Sequence, residues 1–315
     1  MSGMAGIYIG TAGWSYEDWK GVVYPARPKA GFHPLSFLSR FINFIEVNST
    51  FYRPPSLSLT LSWVKKLPPQ ADFLFAVKLH QVFTHLRRDF GRGEVDAFRT
   101  GIEPLVAAGR LAALLLQFPW SYANTPAHRD YLAGLFKLFV GYPLALEVRH
   151  GSWDDPQVAA FLRQARVAFC NIDQPVIGDS LGPSAVVTNP AFSYVRLHGR
   201  NYHDWFRKEA GRDDRYNYLY AKDELAEWVD RIKALAGSSD RVYVVTNNHY
   251  RGQALANALQ VKNMVTGEKV EVPLDLVKQY PLLEEVIDRV RRGQLDLFGP
   301  EDEPGPPKIR KDERP

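Results

Sequence analysis

Polar residues close seven short apolar runs along this chain, and their types belong to acid–base and anion-binding chemistry. Glu46 and Asn48, Lys78 and His80, Glu147 and Arg149, Asn171 and Asp173, and Arg196 and His198 stand two residues apart, while Gln117 and Asn247 end two further runs. In an extended strand, residues two apart share a face, so each pair aims its side chains one way. Glu46, Glu147 and Asp173, with His198 beside them, are the candidate catalytic groups, able to activate water or carry a proton. Lys78, Arg149, Arg196 and Arg200 suit an anion, phosphate above all, which guanidinium binds in a forked geometry. Glu147, Asp173 and His198, drawn from three successive runs, also form a donor set for a divalent metal such as zinc or manganese, with Asn247 on the next run. A plain ion pair, such as Glu147 with Arg196, is the alternative for any one of them. A whole ring of buried charge is too costly to be kept for that alone.

Aromatic residues follow the same runs: Trp14, Tyr16 and Trp19 the first, Phe51 and Tyr52 the second, Trp120 and Trp153 the fourth and fifth. After the seventh comes Gly199-Arg200-Asn201-Tyr202-His203-Asp204-Trp205-Phe206-Arg207-Lys208, then Arg212, Arg215 and Tyr216–Tyr220. Aromatics interleaved with arginine make platforms for bases or sugar rings beside phosphate contacts, or a lid over the mouth. Trp14, Tyr52 and Trp153 therefore join Asn48, His80, Gln117, Asn247 and Asn248 as candidate substrate-binding residues. No phosphate loop of the Gly-x-x-x-x-Gly-Lys type occurs. Cys170 falls on the strand face opposite Asn171 and Asp173, the face expected to turn away from the site.

What positions such a ring is a repeated strand–helix alternation. Short apolar runs at Ile7–Gly10, Phe44–Asn48, Phe73–Lys78, Ala112–Gln117, Leu144–Arg149, Ala168–Asp173, Tyr194–His198 and Val242–Asn247 predict eight strands. Helical patterns separate them around Leu35–Phe41, Leu57–Leu67, Val95–Ala108, Ala127–Phe139, Pro156–Ala165 and Lys222–Ala236, with Gln253–Met264 after the last. The link Gln174–Ser193 reads as irregular. Eight repeats imply a parallel α/β barrel of the TIM type over residues 5–292, with its chemistry at the carboxyl ends of the strands. A doubly wound open sheet lacks its glycine-rich first turn here.

At 315 residues, 45% hydrophobic and 23% charged, the composition is that of an ordinary globular chain. A formal charge of +4 by itself selects no partner. The single cysteine rules out an internal disulfide, and with no signal-like N-terminus it points to a reducing cytoplasm.

Ile9-Gly10-Thr11-Ala12-Gly13-Trp14-Ser15-Tyr16, then Glu46-Val47-Asn48-Ser49-Thr50-Phe51-Tyr52, Gln117-Phe118-Pro119, Glu147-Val148-Arg149-His150, Val195-Arg196-Leu197-His198-Gly199-Arg200 and Asn247-Asn248 resemble the YecE-like family, domain of unknown function 72. The resemblance spans almost all of residues 5–265. It implies a TIM-type barrel and brings no assigned reaction or cofactor.

From Gly293 to Pro315 the chain is rich in proline and charge and reads as a flexible tail. Just inside it, Gln294-Leu295-Asp296-Leu297-Phe298 resembles the peptide by which bacterial repair proteins dock on the DNA sliding clamp, with Gln294, Leu295, Leu297 and Phe298 as its contacts. The stretch Val286–Val290 ahead of it reads as helical. Ring and peptide together point to a nucleic-acid-associated hydrolase, a phosphodiesterase by preference. In it Lys78, Arg149 and Arg196 hold phosphate while Glu46, Glu147 or Asp173 activates water, with or without a metal. An enzyme of sugars or sugar phosphates, and a non-catalytic nucleic-acid-binding module, are the alternatives.

Overall fold

The computed structural model describes residues 6–88, 90–207 and 209–288. Eight strands close into one parallel barrel in sequence order: β1 (Gly6–Ala12), β2 (Phe44–Val47), β3 (Leu74–Lys78), β4 (Leu111–Gln117), β5 (Leu144–Glu147), β6 (Ala168–Asp173), β7 (Ser193–Leu197) and β8 (Arg241–Thr246). The outer helices are α1 (Pro34–Leu38), α2 (Leu57–Lys65), α3 (Arg92–Ala107), α4 (Pro126–Leu138), α5 (Pro156–Ala165), α6 (Arg212–Arg215), α7 (Lys222–Ala236), α8 (Gln253–Thr266) and α9 (Leu274–Gln279). Local chemistry starts several of them. Thr125 and Asp155 accept backbone N–H groups of α4 and α5, each with proline at the first helical position. β6 and β7 are joined without a helix, as the sequence reading held. Near the C-terminus the helical reading of Val286–Val290 fails over its described part: Val270 N–H donates to Val286 O and Asp288 N–H to Val270 O, so these residues run beside Val270. Among the described residues no helix is long and apolar enough to cross a membrane.

Strand register decides what fills the barrel. Parallel partners point the same way, and the pairs Tyr8↔Tyr243, Phe44↔Leu74, Tyr194↔Tyr243 and Arg196↔Val245 run around the interior. The lower half is packed with aromatic rings: Tyr243 lies 5.6 Å from Tyr8 and 5.1 Å from Phe44, and Tyr194 6.2 Å from Phe44. A barrel stoppered this way cannot be a pore, and only its carboxyl-end mouth is left for polar groups.

Register also corrects one strand. Cys170 pairs with Tyr194 and Ile172 with Arg196, both interior residues, whereas Asn171 and Asp173 pair with Val195 and Leu197 on the outer face. The expectation that Asn171 and Asp173 aim at the mouth is therefore wrong, and Cys170 points inward. The cause is the missing helix. An irregular link leaves its own backbone groups seeking partners, and Asn171 supplies them: its Oδ1 accepts from Val186 N at 2.7 Å and Ser184 Oγ at 2.8 Å.

Candidate functional site

Above the aromatic plug lies a buried charge network. Arg196 on β7 donates through Nη2 to Glu46 Oε1 of β2 at 2.6 Å and through Nη1 to Glu147 Oε2 of β5. Tyr194 Oη donates to Glu46 Oε2 at 2.9 Å, and Arg149 Nε to Glu147 Oε1 at 2.9 Å. His198 Nε2 lies 3.3 Å from that same Oε1. All four carboxylate oxygens are thus occupied, and both glutamates are fully buried. Burial alone would raise the Glu147 pKa, but Arg196, then Arg149 and His198, outweigh it and hold Glu147 well below the usual carboxylate range. Neither glutamate meets water, so the expected role of Glu46 or Glu147 in activating it finds no support in this arrangement.

His198 completes the network as a neutral ring. Burial, reinforced by Arg149, lowers its pKa to about 3. Asn247 Nδ2 donates to Nδ1 at 2.9 Å, which leaves the proton on Nε2, facing Glu147. Nitrogen-detected NMR of the labelled ring should report that Nε2–H tautomer unchanged from pH 5 to pH 8. A titration midpoint inside that range would contradict this description of the network.

The cavity opens over this floor, with a volume of about 310 Å³. Of the residues singled out in the sequence, it brings together Asn48, Tyr52, Lys78, Gln117, Arg149, Arg196 and Asn247. Polar side chains therefore reach the mouth region from six strands rather than seven, β6 being the exception. Lys78 is half-buried, its Nζ 4.1 Å from the Phe51 ring centre. Among the described residues no carboxylate pairs with it. Burial first, then the nearby Arg196 guanidinium, lowers its pKa to about 7. Asn48 Oδ1 and Arg215 Nε are buried without a hydrogen-bond partner, and both residues line the cavity. Groups left this way are what a polar ligand would satisfy.

Four further residues line the cavity: Tyr16, Arg215 and Tyr216, which the sequence offered only as members of an aromatic platform or lid, and His249. Tyr16 stacks on His249, ring centres 4.5 Å apart, and Tyr216 lies 5.4 Å from His249. All four lie beyond the strand ends, Arg215 as the last residue of α6, and strand alternation is silent about which of such residues turns inward.

Other candidates lie elsewhere. Asp173 and Arg200 bind each other at 3.0 Å outside the barrel wall, where Arg200 also reaches Glu224 of α7 at 3.1 Å. Asn248 turns outward too, donating to Tyr218 O and Asn257 Oδ1. Trp14 packs edge-on against Trp63 of α2, and His80 Nδ1 accepts from Val82 N–H. Trp153 stacks on Tyr122 and borders a separate hollow of about 270 Å³ between α5 and the β6–β7 link. The metal set is not assembled either: Asp173 stands on the far side of the wall from Glu147 and His198. No group of three or more His, Cys, Asp or Glu side chains converges as a metal site among the described residues. Ser180, in the spacing Gly178-Asp179-Ser180-Leu181-Gly182, donates to Ile177 O within the irregular link, so that serine sits on no strand-to-helix nucleophile turn. Gln294, Leu295, Leu297 and Phe298 lie outside the described residues.

Comparison with known proteins agrees with this architecture. The family model described as "Protein of unknown function DUF72" matches residues 8–280. The chain is similar to the UPF0759 protein YunF of Bacillus subtilis (strain 168), 29% identical over 272 residues that cover 82% of this chain and 94% of that one. The crystal structure of a DUF72 family protein from Thermotoga maritima is similar at a TM-score of 0.73 and 36% identity, covering 83% of this chain and 99% of the other. One from Enterococcus faecalis is similar at 0.73 and 25% identity, over 82% and 95%.

Proposed function

The chain belongs to the DUF72 family, and from that footing we propose that it is an enzyme whose substrate is anchored by a phosphate group in the barrel mouth. The observation that carries this reading is the imbalance of charge around the cavity. Lys78, Arg149, Arg196 and Arg215 line it; the two glutamates beneath match Arg149 and Arg196, while Lys78 and Arg215 pair with no carboxylate among the described residues. An uncompensated cationic hollow of this size favours a compact dianion. Tyr52, Trp120, Tyr202 and Phe206 expose their rings on connections that leave the carboxyl ends of the strands, where a sugar or base attached to the phosphate would stack. Those rings favour a nucleotide or the end of a nucleic-acid strand as the attached group. With the carboxylates sealed, a hydrolytic reaction would draw on the Lys78 amine as its base.

Calorimetric titration with inorganic phosphate, a nucleoside monophosphate and a 5′-phosphorylated oligonucleotide tests the reading. Wild-type protein should bind at least one of them, and Lys78→Met or Arg215→Met should weaken binding on the order of tenfold or more, the value of one charge-assisted hydrogen bond. Binding of none of the three would overturn the reading. Salt separates the ligands: a strand loses affinity steeply between low and high salt, whereas a compact phosphate loses little.

Recruitment by a bacterial sliding clamp through Gln294–Phe298 is proposed on the sequence of that segment alone. Its test is retention of the full chain and its Phe298→Ala variant on immobilised clamp. Equal retention of the two, or none, removes it.

A further inference from the structure

Once the carboxylates are occupied, one chemically distinctive group remains at the cavity. The rest of its lining consists of guanidinium groups, amides, phenols and the His249 imidazole stacked on Tyr16. Lys78 differs from all of them. Its side chain lines the hollow with Nζ 4.1 Å from the Phe51 ring centre, and among the described residues no carboxylate pairs with it. A lysine kept charged in such a place would be expected to have a counter-ion; one desolvated beside guanidinium groups, with the nearby glutamates already occupied, is held ready as a free amine, the arrangement that activates amine nucleophiles.

We infer that Lys78 is a nucleophilic catalytic residue that condenses with the carbonyl carbon of a phosphate-bearing aldehyde or ketone to form an imine. The inference rests on the phosphate anchor of the reading above and takes a carbonyl-bearing sugar phosphate, rather than a nucleotide, as the anchored compound. The lone pair of Nζ attacks the carbonyl carbon, forming the C–N bond while the carbonyl π electrons move onto oxygen. That oxygen takes up one amine proton through cavity water, giving a carbinolamine. The C–O bond then breaks, the oxygen leaves as water with the second amine proton, and the C=N bond closes. Atoms and electrons balance without an oxidant, reductant or metal. The phosphate would stay with Arg149 and Arg215, while the unpartnered Asn48 Oδ1 and the amides of Gln117 and Asn247 face the hydroxyl groups of a short sugar.

The groups that set the amine's charge come from several elements: Arg196 from β7, Glu147 and Arg149 from β5 and its end, and Glu46 from β2. His85, beyond β3, is coupled to it as well; burial first, then Lys78, lowers the His85 pKa to about 4. With its pKa near 7, Lys78 should react as a neutral amine at a pH where surface lysines are protonated.

The experiment incubates the full chain with glyceraldehyde 3-phosphate and cyanoborohydride, the hydride donor being an assay reagent, and reads intact mass and peptide maps. One adduct per chain is expected, on Lys78, forming at least tenfold faster than on any other lysine and with a pH midpoint near 7. Lys78→Arg should stay folded, by its thermal midpoint, and lose the fast adduct. Adducts spread over exposed lysines with Lys78 unmodified, while calorimetry still shows phosphate bound, overturn the imine and leave the anchored-phosphate reading standing. Fast labelling of Lys78 that unphosphorylated glyceraldehyde matches, and that added phosphate does not slow, keeps the imine and removes the phosphate.

Discussion

Arg196→Met should lower the thermal unfolding midpoint by on the order of 10 °C, the largest loss of stability expected from any single change in the mouth. Arg196 is buried and bridges Glu46 and Glu147, which have no access to water. Removing it leaves Glu46 with Tyr194 alone and takes from Glu147 one of its two guanidinium partners, in a low-dielectric interior. Breaking a buried pair costs about 3–5 kcal/mol, mainly because the surviving charge is left without a partner. The same reasoning predicts rescue. Combining Arg196→Met with Glu46→Gln removes one charge of each sign, the new amide oxygen still accepts from Tyr194, and Glu147 keeps its pair with Arg149. The double variant should regain most of the lost stability. Thermal and denaturant melts of the wild type, the single and the double variant decide it. A double variant as unstable as Arg196→Met would mean that the network's shape, rather than its charge balance, holds the barrel closed.

The network also shows where reading the sequence works and where it stops. The eight strands were legible because each is a short apolar run between helical patterns, and the outer helices are capped by residues the sequence displays, such as Thr125 and Asp155. The mouth was legible through alternation at Glu46, Lys78, Gln117, Glu147, Arg196 and Asn247, where polar residues interrupt otherwise apolar strands. Alternation fixes which residues share a face and leaves open which face looks inward. At β6 the usual guide, polar toward the mouth, pointed the wrong way, because Asn171 serves the irregular β6–β7 link and Asp173 serves Arg200. Nor does a sequence show whether a carboxylate is free. Glu46 meets Arg196 across 150 positions, and only the closed barrel brings β2 and β7 within reach of each other. Arg215 and Tyr216 were legible only as members of an arginine–aromatic segment over the mouth, because that long connection has no period to say which side chain turns in.

Lys78→Met should have the opposite effect on stability to Arg196→Met, and the sign follows from linkage. The pKa of Lys78 falls from 10.5 to about 7 on folding, by burial and then by Arg196. Below pH 7 both states carry the proton, and the folded chain bears the full penalty of a confined ammonium. Between about pH 7 and 10.5 the folded state releases that proton while the unfolded state keeps it, so this residue's contribution to stability improves as pH rises through the interval. Methionine carries no such penalty and has a similar length and apolar character. At pH 6 the variant should therefore be more stable than wild type, by on the order of 3 kcal/mol once screening by cavity water is allowed for. The difference should shrink toward pH 10, while imine formation is lost at every pH and phosphate binding weakens most below pH 7, where the wild-type amine is charged. Gaining stability while losing the ligand is what distinguishes a residue kept for chemistry from one kept for the fold. Denaturant melts of both proteins at pH 6, 8 and 10 read the difference directly. A variant less stable than wild type at pH 6, or a gap that does not change with pH, would return Lys78 to a structural role.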